Sequence, residues 1–129
     1  MQTVLLVEDA TLIRGALARL LKAASYQVVC AANGAEALAR LKEKGADLIL
    51  LDHLMPEVDG MTFLSGIRRF PKWKNLPVIM YTAQKDSAAA RRAESLGVSG
   101  YHVKTELNSE QIIAQVQKAL GGEALAATH

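Results

Sequence analysis

Glu8, Asp9, Asp52, Thr82 and Lys104 have the side-chain types that phosphate chemistry requires, and each follows a short apolar run. Val4-Leu5-Leu6-Val7 leads into Glu8 and Asp9, and Leu48-Ile49-Leu50-Leu51 into Asp52. Val78-Ile79-Met80-Tyr81 leads into Thr82, and Gly100-Tyr101-His102-Val103 into Lys104. Runs of this kind read as buried strands. In an open parallel sheet, ligands bind in the crevice beyond the carboxyl ends of the strands. Three carboxylates, a hydroxyl and an ammonium are therefore expected in one pocket. Crowded carboxylates repel, and without a compensating cation one of them stays protonated at neutral pH. Mg²⁺, a hard oxygen-seeking ion, relieves that repulsion while taking only one or two protein carboxylates and keeping positions for phosphate oxygens. Lys104 offers a positive charge to another oxygen, and Thr82 a hydroxyl donor. Such a set suits phosphoryl transfer, where positioning and charge stabilisation do most of the catalysis. Asp52 is the nucleophile of that reading, accepting the group as an acyl phosphate.

The stretches between these runs are amphipathic. Ile13, Leu17, Leu20, Leu21 and Ala24 recur at helical spacing, with Arg14, Arg19 and Lys22 on the other face. Tyr26-Gln27-Val28-Val29-Cys30 reads as a further strand. Asn33 with Glu36 three residues on forms a helix start, and Gly45 ends that helix. Asp59 caps a helix holding Met61, Leu64 and Ile67. Phe70 to Asn75 is a turn-rich connection. Asp86 or Ser87 caps an Ala-rich helix that Gly97 stops, and Asn108 or Ser109 starts a last helix with Ile112, Val116 and Leu120 on one stripe. Gly121-Gly122 is expected to break it, giving one domain over residues 1–121 and a short flexible tail over residues 122–129. Alternating strands and helices predict an α/β fold, a doubly wound five-stranded parallel sheet with helices on both faces. The flavodoxin-like order 2-1-3-4-5 puts Glu8 and Asp9 beside Asp52 at the switch point.

Composition narrows the class. The chain has 129 residues, half of them hydrophobic, enough for one real core and no case for disorder. Fifteen basic residues against 13 acidic give a net charge of +2, too small to imply nucleic acid. The single cysteine, Cys30, has no internal partner, which suits a reducing compartment. No apolar run approaches the ~20 residues that cross a bilayer. A soluble cytoplasmic protein, monomeric or weakly dimeric, is the expectation.

Four motifs in order give a sharper answer. They are Val7-Glu8-Asp9 with Arg14 following, Leu51-Asp52-His53-Leu54-Met55-Pro56 closed by Asp59-Gly60, Pro77 to Ala83 around Thr82, and Gly97 to Lys104. Together they resemble a response-regulator receiver domain, the phosphoacceptor half of two-component signalling, over essentially residues 3 to 120. The resemblance implies that Asp52 takes a phosphoryl group from a histidine kinase or phosphotransfer protein. It implies that Glu8, Asp9, Asp52 and the backbone carbonyl of Leu54 hold Mg²⁺, and that Lys104 bridges to the phosphate. Thr82 would move toward the new group and let Tyr101 turn inward. The output face would be the fourth helix, fifth strand and fifth helix, around Arg91, Arg92, Tyr101 and Gln115. With no room for a DNA-binding domain, a stand-alone regulator, an excised receiver or a phosphorelay intermediate fits equally.

Two positions depart from or qualify the family's pattern. Proline, commonly cis, usually follows the lysine, and here Thr105 stands there; a cis bond before a non-proline residue costs ~3 kcal/mol. Lys104 is nevertheless expected to reach the pocket. Leu54 and Gln84 offer little to orient an attacking water, which implies a long-lived phosphoryl group and slow autodephosphorylation. Two other readings stay open. One is a degenerate receiver acting as a phosphorylation-independent interaction module, for which Thr105 is the one feature in favour. The other is an aspartyl-phosphate hydrolase, which would need a general acid and a cap that the sequence does not supply. Outside the motifs, His53 is read as a surface or packing histidine pointing off the pocket, and His102 as packed. Arg68 to Lys74 mixes basic and aromatic residues but reads as a solvated helix terminus. Cys30 reads as a small core residue.

Overall fold

The computed structural model describes residues 1–53, 59–83 and 86–128, with side chains described as far as residue 121. Five strands, β1 (Thr3–Val7), β2 (Gln27–Ala31), β3 (Leu48–Asp52), β4 (Val78–Thr82) and β5 (Gly100–Val103), form one parallel sheet in the order β2-β1-β3-β4-β5. Five helices connect and cover them: α1 (Thr11–Ala23), α2 (Gly34–Lys44), α3 (Gly60–Ile67), α4 (Ser87–Ser95) and α5 (Ser109–Thr128). Tight 3-10 turns add Pro71–Trp73 and Lys104–Glu106. The α/β class and the strand order are those expected from the sequence.

Side-chain alternation sorts the core into two layers. Leu5, Val7, Ile49, Leu51, Val78 and Met80 pack under α2, α3 and α4 with Ala37, Leu41, Phe63, Leu64, Ile67 and Ala93. Val4, Leu6, Leu48, Leu50, Ile79 and Tyr81 pack under α1 and α5 with Ala18, Leu21 and Val116. Because β1, β3 and β4 are covered on both faces, their sequences are nearly continuous apolar runs. The second strand begins at Gln27, one residue later than its apolar pattern suggests.

Local chemistry sets the helix ends. Asn33, Asp59 and Asp86 each accept a backbone N–H of their own first turn, at 2.9, 2.8 and 3.0 Å. Asn108 and Gln111 bond reciprocally, each side chain accepting from the other's N–H, at 2.8 and 2.9 Å. Gly45 and Gly97 take positive φ, 70° and 75°, immediately after or just beyond their helices.

Three expectations about the helices need correction. Helix α5 runs through Gly121 and Gly122 to Thr128 rather than breaking there. Each glycine costs a helix only ~1 kcal/mol, and alanines and leucines on both sides offset that. Arg14 is not simply an outward-facing residue of α1: its guanidinium donates to the carbonyls of Glu8 (2.8 Å) and Asp9 (3.3 Å). It thereby clamps the loop that carries the acidic pair. The expected apolar stripe of α1 is also only partly covered. Ile13, 42% exposed, and Leu17 line a cavity of about 250 Å³ between α1 and α5.

Candidate functional site

The register of the sheet brings the chemical residues together. Val7 pairs with Leu51, Asp52 with Tyr81, and Thr82 with Val103, so Glu8, Asp52, Thr82 and Lys104 stand in one row across the carboxyl edge. Glu8, Asp52 and Thr82 are buried, Lys104 half-buried, and Asp9 exposed at the rim. Carboxylate oxygens of Glu8, Asp9 and Asp52 lie within 4.8 Å of one another. Lys104 Nζ is 2.8 Å from Glu8 Oε1 and 3.4 Å from Asp52 Oδ2.

Thr105 does not divert Lys104. The Lys104–Thr105 bond is trans, as no cis bond occurs among the described residues, and Lys104 opens a 3-10 turn. Its Nζ lies over the Tyr81 ring, 5.0 Å from the centroid, so the ammonium is held by an aromatic face and two carboxylates.

The electrostatics divide the two buried acids. Burial pushes the Asp52 carboxyl up, the Glu8 charge adds to the rise, and Lys104 only partly opposes it, leaving Asp52 at about 7. Burial alone would raise Glu8 too, but it is outweighed. The hydrogen bond from Lys104, the N–H of Ala10 at 3.1 Å and the ammonium's charge bring Glu8 below its ordinary value. Lys104 is itself raised: burial disfavours its charge, but the bond to Glu8 and the charges of Asp52 and Glu8 prevail. Asp52 thus keeps its proton up to near neutral pH, through burial first and the charge of Glu8 second. A divalent cation would displace that proton, so the donor set fits a hard ion that prefers oxygen.

Strand parity separates two groups of side chains. Glu8, Asp52, Tyr81 and Lys104 follow the α1/α5 layer, whereas His53, Thr82 and Tyr101 follow the layer under α2, α3 and α4. Tyr81, which the sequence motifs did not single out, donates its hydroxyl to Glu8 Oε1 at 3.2 Å. Burial and the neighbouring carboxylates hold its phenol protonated, so it acts as a donor. On the other layer His53 points off the carboxylate pocket and packs against Tyr101. Its Nδ1 lies 3.3 Å from the Tyr101 hydroxyl, and the two rings meet edge to face. Parity was the readable signal for both, since position 81 shares a face with 52 and position 53 shares one with 82 and 101.

Gly60 completes the site's backbone. Its N–H donates to the His53 carbonyl at 2.9 Å, and a Cβ there would collide with the carbonyl oxygen of Asp52. The Leu54 carbonyl and Gln84 lie outside the described residues. Arg91 and Tyr101 share a groove between α4 and β5, but Gln115 lines the cavity between α1 and α5 instead. Arg68 is not a solvated terminus: it donates to the carbonyls of Trp73, Leu76, Leu96 and Gly97, tying the α3 end to the α4 end. Trp73 is buried against Phe70, so the basic-aromatic stretch is built for packing. His102 packs over Gly100, with its Nε2 buried and lacking a hydrogen-bond partner among the described residues.

Comparison with known proteins agrees with this geometry. Residues 4–117 match the model of the response regulator receiver domain. The sensor histidine kinase CheAY of Helicobacter pylori is 36% identical over 103 residues, covering 78% of this chain and 13% of that protein. The phosphate regulon transcriptional regulatory protein PhoB of Rhizobium meliloti is 32% identical over 114 residues, covering 88% of this chain and 50% of that protein. The chain thus spans half or less of the length of these curated relatives. Among solved structures, chemotaxis protein CheY4 of Vibrio cholerae superposes with a TM-score of 0.87 at 32% identity, covering 93% of this chain and 99% of that one. No described helix is long and apolar enough to cross a membrane. The chain is a CheY-like member of the response regulator receiver domain family of two-component signalling.

Proposed function

We propose that this receiver is switched by Mg²⁺-dependent phosphorylation of Asp52, with a histidine kinase or phosphotransfer protein as donor. The observation that carries the reading is the Asp52 carboxylate itself. It is buried at the carboxyl end of a central strand, with Lys104 Nζ at 3.4 Å and the oxygens of Glu8 and Asp9 close by. Glu8, Asp9 and Asp52 would hold the Mg²⁺, with the Leu54 carbonyl as the further ligand that the family resemblance implies. When bound, the ion supplies positive charge that neutralises the acids and orients phosphoryl oxygens.

The chain's own residues do the rest. A deprotonated Asp52 oxygen forms the new P–O bond while the P–N bond to the donor imidazole breaks and its electron pair returns to that ring. Lys104 leaves Glu8 for a phosphoryl oxygen, and Glu8 keeps two other donors, Tyr81 and the Ala10 N–H. Thr82 donates its hydroxyl to another phosphoryl oxygen, which further favours the inward position of Tyr101. The doubly charged group then reorders the loops around it. Partner binding through the α4 and β5 surface near Arg91 and Tyr101 is the output.

Mass spectrometry of the intact protein, after incubation with Mg²⁺ and a small acyl-phosphate donor or beryllium fluoride, tests the proposal. A Mg²⁺-dependent adduct that disappears in Asp52→Asn supports it. An unmodified wild-type chain would refute it and restore the reading as a phosphorylation-independent module. Thr105 was that reading's ground, and the contact of Lys104 with Asp52 and Glu8 removes it.

A further inference from the structure

His53 and Tyr101 come from segments 48 residues apart, and their contact reaches from the carboxyl end of β3 to the edge strand β5. Strand β4 lies between those two strands, so the tyrosine spans its end to make the contact. The Tyr101 ring packs on the layer under α2, α3 and α4, with its hydroxyl against His53 Nδ1. Burial raises its phenol, so the hydroxyl keeps its proton and can donate. A neutral His53 ring with its proton on Nε2 presents Nδ1 as the acceptor.

The backbone of His53 is itself held in place. Its backbone N–H donates to the Tyr81 carbonyl at 3.1 Å, and its carbonyl accepts from Gly60 at 2.9 Å, so both flanks of the residue are fixed. Tyr101 by contrast belongs to an edge strand whose residues are all only partly buried. Without a polar partner on the inner side, a phenol there gains by turning outward to water. With His53 as partner, the inward position keeps the hydroxyl hydrogen-bonded.

We propose that His53 is a positioning residue for Tyr101, holding it inward before any phosphoryl group arrives and so biasing the receiver toward its switched state. The inference rests on the function proposed above, because Tyr101 is the output element there. Since inward Tyr101 and modified Asp52 favour the same state, linkage requires that the bias also assist modification.

Three variants test this without changing pH. His53→Leu removes the acceptor, His53→Asn restores an acceptor oxygen near the Nδ1 position, and Tyr101→Phe removes the donor. The first readout is the nuclear Overhauser contact between the Tyr101 and His53 rings in unmodified, Mg²⁺-free protein. It is expected in the wild type; Tyr101 ring shifts should move outward in His53→Leu and return in His53→Asn. The second readout is the equilibrium affinity for beryllium fluoride in the presence of Mg²⁺. A net hydrogen bond of ordinary strength sets a loss of about fivefold in His53→Leu, recovered to within about twofold by His53→Asn. In the Tyr101→Phe background the leucine substitution should have no further effect. Absence of the ring contact, or an equal effect of His53→Leu with and without the Tyr101 hydroxyl, would overturn the inference. If the wild type is not modified at all, the proposed function fails while the ring contact still decides the role of His53.

Discussion

Replacing Asp52 with asparagine should stabilise the metal-free protein at neutral and alkaline pH. Burial first and the charge of Glu8 second push the Asp52 carboxyl from 3.8 to about 7, against the pull of Lys104. Between those values the folded chain binds a proton that the unfolded chain has released. Stability therefore falls as pH rises from about 4 to about 7 and remains low above that range. At ~1.4 kcal/mol per unit, ionising Asp52 removes ~3 kcal/mol from the fold between about pH 5 and about pH 8. Asparagine has nearly the same shape and carries no such cost, and Lys104 keeps its 2.8 Å bond to Glu8. Glu8 has the opposite sign: its lowered carboxyl contributes stability that is lost only as pH falls below the ordinary 4.5, outside this window. The assay is urea denaturation of both proteins in chelator across about pH 5 to about pH 8. The stability gap should widen in favour of Asp52→Asn by ~3 kcal/mol, roughly 10 °C in Tm, and Mg²⁺ should narrow it by stabilising the wild type alone. A gap that is independent of pH, or an asparagine variant less stable than wild type at about pH 8, would refute the description of Asp52 as a buried acid in conflict with Glu8.

Other substitutions probe the elements that build the site. Lys104→Met should leave Mg²⁺ binding measurable by calorimetry but slow Asp52 modification about a hundredfold, the usual loss for one donor to a developing charge. Gly60→Ala should lower stability by ~1–3 kcal/mol and Tm accordingly, because its Cβ meets the Asp52 carbonyl and lies 2.9 Å from His53 Cα. Gly66→Ala, with nothing within 4 Å, should instead be neutral or stabilising by up to ~1 kcal/mol. Arg68→Ala should cost about 3 kcal/mol in chemical denaturation by leaving the carbonyls of Trp73, Leu76, Leu96 and Gly97 without their shared donor. Arg68→Lys should recover only part of that loss, since one ammonium cannot span four acceptors.

The residues that bear chemistry could be read in advance because doubly covered parallel strands leave a strong local trace. Val4–Val7, Leu48–Leu51 and Val78–Tyr81 are apolar on both faces, and their ends mark the crevice whatever the details of packing. Parallel pairing and strand order then follow from alternation with helices, and Glu8, Asp9, Asp52, Thr82 and Lys104 fall into one row. Helix starts were equally local, since Asn33, Asp59 and Asp86 cap their own first turns. Tertiary structure alone decided how the side chains share partners. Lys104 is nearer Glu8 than Asp52, the Tyr81 hydroxyl reaches the same Glu8 oxygen, and Arg68 leaves the surface for a cage of carbonyls. His53 meets Tyr101 across the end of an intervening strand. Each of these depends on which rotamer fits between elements far apart in the chain. Periodicity records the face on which a side chain lies, but burial and charge on neighbouring strands choose its partner.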